Sequence, residues 1–333
     1  MRALLGLAVL AVVVRLVDIN ALRRVAHPEH LAWAGFALLC LAANVYVAAW
    51  RWQVLLAALG VKERIAPLLR AIYVGAFYNL VLPGQLGGQA IKVMLVGRRS
   101  PALPAIVASV AMDQVVVIVA LFGLAEFAAG TAPGISHRQA WLTGFGITLV
   151  AAIALMIASV NPRLQEWLRR RARRSRWLVW LPDGLRRQTS TTWQALTSYG
   201  DEPLLLGWTV IQAAIFMITL FGMALGLARA VGIDLDPRDI LFVLFLGLVA
   251  GVAPFTLAGL GTREAAFTAS LAELGVDREV AATFAVLWLL LNTLADAVGG
   301  AMQFWHPRQT GTLHRPEPRR GHRPDAPART EQG

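Results

Sequence analysis

The chain has 333 residues, of which 57% are hydrophobic and only 15% charged, and its mean hydropathy is +0.57. A soluble domain is roughly a quarter charged, so a water-soluble enzyme is excluded and an all-α, polytopic membrane protein is expected. The net charge is +11, and the single cysteine, Cys40, excludes an intramolecular disulfide and a Cys-based metal site.

The positive charge is concentrated. Nine Arg stand against two acids between Asn161 and Gly200, and six Arg against three acids between His306 and Gly333. Basic loops on the cytoplasmic side are what membrane insertion requires. Both stretches, and with them both chain termini, are therefore assigned to the cytoplasm, and nucleic acid is not expected as a partner.

Apolar runs long enough to cross about 30 Å of hydrocarbon follow in chain order. The run 3–17 ends at Arg15 and Asp18 and reads as an uncut first helix rather than a signal peptide, since no small-x-small cleavage site follows it. Helix 31–50 comes next, with Arg51-Trp52 at its inner end as an interfacial anchor. Segment 65–97 is interrupted by Pro83-Gly84-Gln85-Leu86-Gly87-Gly88. Helices 103–128 and 140–160 follow, Glu126 being expected to reach the interface at the outer end of the first. The basic loop 161–200 contains segment 162–181, in which Leu164, Trp167, Leu168, Trp177 and Leu181 interleave with an Arg run, the signature of a helix lying on an anionic leaflet. Helix 203–228 returns outward, segment 240–276 is interrupted between Pro254 and Gly261, and helix 280–304 runs back in. The Pro-rich tail 306–333 lacks apolar periodicity and reads as disordered. This gives one membrane domain over 1–305, with about six full spans.

Counting inward from the basic loop, segment 65–97 starts and ends inside, whereas 240–276 starts and ends outside. Both read as re-entrant hairpins, which need burial in protein or a wet cavity. They resemble each other at a fixed offset of 171: Pro83 with Pro254, Leu86 with Leu257, Gly88 with Gly259, Lys92 with Arg263. The flanking helices agree in order, so the halves, about 31–128 and 203–304, form an inverted repeat. That is the layout of secondary transporters whose sites lie near the midplane.

Lys92 and Arg263 follow a Gly-rich break, at the start of a half-helix, where unpaired N–H groups and the dipole suit an anion such as phosphate. Charge at that depth marks a functional site; the competing role for Arg263 is to pair with Glu264 or Asp296 and hold the fold. Asp113 beside Gln114, and Asp296 on one face with Asn292, either bind a coupling proton or balance the two cations. The sequence has no P-loop, no GxSxG and no His-rich metal spacing, so catalysis and cofactors are not expected in this chain.

Arg51-Trp52-Gln53-Val54-Leu55-Leu56 follows the first long helix, and Leu82-Pro83-Gly84-Gln85-Leu86-Gly87-Gly88 leads to Lys92. Together with Asp113 and Gly259-Leu260-Gly261-Thr262-Arg263-Glu264, these motifs resemble the flippase-like family that includes the transmembrane region of lysylphosphatidylglycerol synthases. The resemblance spans roughly 1–305. It implies movement of a lipid with an anionic or phosphate-bearing headgroup between leaflets of a bacterial or archaeal cell membrane. It also implies a substrate cavity lined by Pro83, Gly87, Gly88, Lys92, Asp113, Gly259, Gly261, Arg263 and Glu264. The positions held by Gln89, Lys92 and Gln114 depart from the family pattern, and no aminoacyltransferase domain is present, so aminoacylated lipid is not an expected product. Two other functions fit the residues: proton-coupled transport of a small anion, and an accessory role in membrane-lipid synthesis.

Overall fold

The computed structural model describes residues 28–81, 86–97, 102–161, 163–164, 166–167, 183–251 and 261–305. The expected helix 3–17, most of the basic segment 162–181, the tail, Pro83 and Gly259 lie outside these residues. Among them the chain is helical throughout: α1 (Pro28–Ala58), α2 (Ile65–Val81), α3 (Leu86–Gly97), α4 (Leu103–Thr131), α5 (Arg138–Val160), α6 (Asp183–Ser198), α7 (Pro203–Ala230), α8 (Pro237–Gly251), α9 (Thr262–Glu273) and α10 (Arg278–Trp305).

Five of these are long and apolar enough to cross a membrane: His30–Ala58, Leu103–Thr131, Arg138–Val160, Pro203–Ala230 and Arg278–Gln303. They coincide with the five long runs read from the sequence, although α1 continues eight residues past the expected end at Trp50. Both interrupted segments form pairs of shorter helices, α2 with α3 and α8 with α9, and each pair packs together. Exposed apolar side chains line α5, where Ile147 and Val150 are more than two-thirds exposed. That surface suits hydrocarbon and not water.

The order α1–α4 and the order α7–α10 match in length, at 31, 17, 12 and 29 residues against 28, 15, 12 and 28. Their ends match too. Gly60 (φ +77°) and Gly232 (φ +82°) stop α1 and α7 in the left-handed conformation that glycine adopts without strain. In both, the next residue donates back to a carbonyl five positions earlier, Val61 to Leu56 and Ile233 to Ala228, as in the Schellman cap. The following helix starts at Ile65 in one set and Pro237 in the other.

Packing joins the two sets. α1 lies along α7 in the most extensive helix contact, and the two run antiparallel. Gly226 approaches Trp33 and Ala37, Gly222 approaches Cys40, and Trp50 meets Trp208 edge-on at 5.9 Å. Small residues at a helix crossing let backbones approach closely where no hydrophobic effect is available to drive association. α2 leans on α10, with Tyr73 over Gly299 and Phe77 against Gly300, while α8 leans on α4. Buried apolar residues fall into three clusters: one within α1–α4 around Trp52, one within α7–α10 and the start of α1 around Phe267, Phe284 and Trp288, and a central one joining α4, α5, α7 and α8. The loop 161–200 is not wholly a loop, since its last part is α6, which packs on α4. Tyr199 beyond it is buried and donates to the Leu55 carbonyl at 2.8 Å.

Candidate functional site

Two cationic clusters occupy this frame. The first is built from α1, α3, α4 and α7. Arg51 is 2% exposed and its Nε donates to Asp113 Oδ1 at 2.7 Å. The guanidinium also lies 5.0 Å from the centroid of the Phe216 ring on α7. Next to it, Trp52 is buried and donates its indole N–H to Ser109 Oγ at 3.0 Å. Arg51-Trp52 is therefore not an interfacial anchor: the helix continues, both side chains turn inward, and a partner 62 residues away accepts the charge. Across the same ring, Lys92 Nζ stands 5.8 Å from the Trp52 centroid, within the electrostatic reach of Asp113 and Arg51.

Lys92 reaches this position because α2 and α3 meet through glycines. Gly88 packs against Asn79 and the Gly75 carbonyl, where no Cβ fits, and its N–H donates to Asn79 Oδ1 at 2.8 Å. The Lys92 stem passes over Gly75, and half-buried Gly87 precedes this contact. Lys92 itself lies in the second turn of α3, which begins at Leu86. The expectation of a cation at a half-helix start fails here, because the dipole effect fades within the first turn. Its nearest electrostatic influence is the Arg51–Asp113 pair instead.

The second cluster is built from α8, α9 and α10. Arg263 is in the first turn of α9, as expected. Its Nη2 meets Glu264 Oε1 at 3.5 Å, its stem packs on Gly251 of α8, and its Nε is buried without a hydrogen-bond partner among the described residues. Glu264 is also committed to the helix start: its Oε2 accepts the Gly261 N–H at 2.7 Å, closing the turn in which Gly261 has φ +91°. Asp296 on α10 lies within the field of Arg263. No hydrogen bond or ion pair joins Lys92 to Arg263 among the described residues; Arg263 has Glu264 beside it, whereas Lys92 shares Asp113 with Arg51.

The sequence reading passed over three polar residues on or against the helices that build the first cluster. Asn44 donates to the Phe216 carbonyl at 2.8 Å and to Thr219 Oγ1 at 2.9 Å. Tyr199 is kept protonated, since burial first and the Asp113 carboxylate second push its phenol up. Gln212 is fully buried on α7. Glu126, expected at the interface, instead tucks between α4 and α5 beside Gly146, with Oε2 buried and without a hydrogen-bond partner.

Residues 2–300 match the family described as the lysylphosphatidylglycerol synthase TM region. The chain belongs to this family. With five helices among the described residues long and apolar enough to cross a membrane, it is a multi-pass membrane protein. It is similar to a protein named glycosyltransferase AglD from Haloferax volcanii, at 26% identity over 309 residues, covering 79% of this chain and 48% of that relative. The chain thus spans about half the length of the curated relative it matches. No solved structure matches it.

Proposed function

We propose that this chain moves a lipid with an anionic or phosphate-bearing headgroup between leaflets by alternating exposure of a midplane site, without carrying out chemistry on it. The observation that carries this reading is the recurrence of one half-buried cation in each of two short helix pairs, Lys92 on α3 and Arg263 on α9, inside an otherwise apolar bundle. Ionisable groups at membrane depth are expensive and mark substrate pathways. An inverted repeat is supported by the antiparallel α1 and α7, the matching caps at Gly60 and Gly232, and the helix pairs that lean on the opposite half. In this reading α2–α3 and α8–α9 are re-entrant gates, and Lys92 and Arg263 hold the headgroup, with Asp113 and Asp296 as counter-charges. Gly87, Gly88 and Gly261 keep the backbone close to it, and Pro83 and Gly259 belong to the same two breaks. The Arg-rich loop rests on the anionic leaflet.

The test is reconstitution in liposomes with fluorescent anionic, zwitterionic and neutral lipids. Anionic lipid is expected to cross fastest, and both Arg263→Ala and Lys92→Ala to slow it by about tenfold or more, which is a loss of roughly 1.4 kcal/mol of barrier lowering. Unchanged rates in folded, inserted variants would sink the reading. The name of the relative favours one second reading, an accessory unit for sugar transfer in membrane-lipid synthesis. It predicts no lipid movement by the purified chain, and loss of a lipid-linked product in cells lacking it.

A further inference from the structure

A cavity of about 370 Å³ opens at the end of the α2–α3 pair farthest from its glycine contact. It is bordered by Glu63 in the turn after α1, by Pro67, Arg70 and Ala71 in the first two turns of α2, and by Leu95 and Val96 in the last turn of α3. Ligand pockets run from roughly 300 to 1,000 Å³, so this volume suits a small molecule. Its walls are held in place. Ala71 and Val96 belong to the buried apolar cluster around Trp52. Gln53 of α1 donates to the Glu63 carbonyl at 2.8 Å and pins the turn. Arg70 Nε is buried without a hydrogen-bond partner among the described residues, which fixes the root of the guanidinium in the wall.

The charged ends are left open. Among the described residues no hydrogen bond or ion pair engages the Glu63 carboxylate or the terminal nitrogens of Arg70, and both remain accessible. Lys62 and Arg64, on either side of Glu63, are exposed. One anion and one cation thus border the same small space without neutralising each other. A bare anion entering it meets Glu63, and a bare cation meets Arg70, and like charges brought together are costly. A ligand carrying both signs a few bonds apart meets each with its opposite, through charge-assisted hydrogen bonds about twice as strong as neutral ones. Ala71, Leu95 and Val96 leave the remaining surface to an apolar group.

We propose that this cavity is a binding site for a small zwitterion, with its ammonium toward Glu63, its acidic group toward Arg70 and an apolar portion against the end of α3. The site is separate from Lys92 and Arg263 and stands whether or not the chain moves lipid.

The full chain in maltoside micelles is titrated with leucine, with 4-methylpentanoate, which lacks the ammonium, and with 3-methylbutylamine, which lacks the carboxylate. Saturation-transfer NMR on the ligand methyl groups, corrected for protein-free micelles, follows binding. Leucine is expected to bind about tenfold or more tightly than either analogue. Glu63→Gln is expected to erase the preference over 4-methylpentanoate while retaining the preference over the amine, and Arg70→Met to do the reverse. Loss of a merely structural contact would not split the two analogues in this way. Unfolding midpoints check that the variants fold, and Arg70→Gln replaces Arg70→Met if the latter does not. Equal affinity of the native protein for all three ligands, binding of none (a merely hydrated cavity), or the same loss in both variants would each overturn the site. A second arm repeats the leucine titration in phosphatidylglycerol nanodiscs with and without phosphatidylethanolamine, whose headgroup carries the same two charges. Weaker leucine binding in its presence supports the site with a lipid headgroup as occupant. Undiminished binding supports it with a soluble zwitterion.

Discussion

Removing one member of the Arg51–Asp113 pair leaves the other as an uncompensated charge among buried helices. Breaking a buried pair from one side costs about 3–5 kcal/mol, whereas replacing both partners by apolar residues is often neutral. Asp113→Asn and Arg51→Met are therefore each expected to lower stability by about that amount, and Arg51→Met combined with Asp113→Leu to recover most of it. Unfolding titrations of the four proteins in micelles check this, and simple additivity would show that the pair is not coupled. Asp113 was legible in the sequence because a lone acid inside an apolar run is conspicuous. Arg51 was not, because Arg-Trp after a long apolar run has the local signature of an interfacial anchor, and its partner lies 62 positions away. Gln212 sits in an uncharged run and carried a weaker version of the same signal as Asp113: an amide where only hydrocarbon neighbours are expected. Lys92 was found through the repeat, yet its role as a first-turn cation was misjudged, because α3 starts before the glycines at 87 and 88 rather than after them.

At the level of single elements, the α2–α3 contact depends on glycines packed without intervening side chains. Gly88→Val has no room beside Asn79 and the Gly75 carbonyl, so overpacking is expected to cost about 1–3 kcal/mol and to displace Lys92 from Trp52. Loss of lipid movement together with a lowered unfolding midpoint would register it. The start of α8 has a pH-dependent device. Asp236 Oδ1 accepts from the Arg238 backbone N–H at 2.8 Å and from Nε at 3.0 Å. These bonds hold the Asp236 carboxyl at about 2, below its ordinary 3.8. A depressed carboxyl stabilises the fold above its ordinary value, and that contribution fades as pH falls through 3.8 toward 2. A carboxyl-carbon NMR titration of Asp236 is expected to give that midpoint, and Arg238→Ala to move it up toward the ordinary value. Elements were the most legible level, since hydrocarbon-spanning length alone marks α1, α4, α5, α7 and α10. The exception is α6, where the Arg count drew attention to a basic loop. Trp193, Leu196 and Tyr199 recur at helical spacing and supplied the overlooked signal.

Over the whole molecule, orientation is the sharpest consequence of the proposed inverted repeat. The loops after α1 and α7 are equivalent in the repeat and would face opposite sides of the membrane. In a Cys40→Ser background, Lys62→Cys is expected to react with a membrane-impermeant maleimide only after permeabilisation, and Asp234→Cys without it, both positions being exposed. Labelling from the same side would end the inverted reading while leaving the helices as they are. The long-range arrangement was partly legible, because the offset of 171 pairs two sets of helices that match in length and in their glycine caps; how they interlock was not, since helix-against-helix pairing leaves no periodic trace in a single chain. That interlocking has its own consequence. The α2 helix of one set rests on α10 of the other, and α8 on α4, so each set supplies part of the other's packing surface. Neither set is therefore expected to fold as a self-sufficient unit. A chain severed within 168–182 is expected to yield fragments that are degraded when made singly and that reassemble when made together, like two hands folding into one grip.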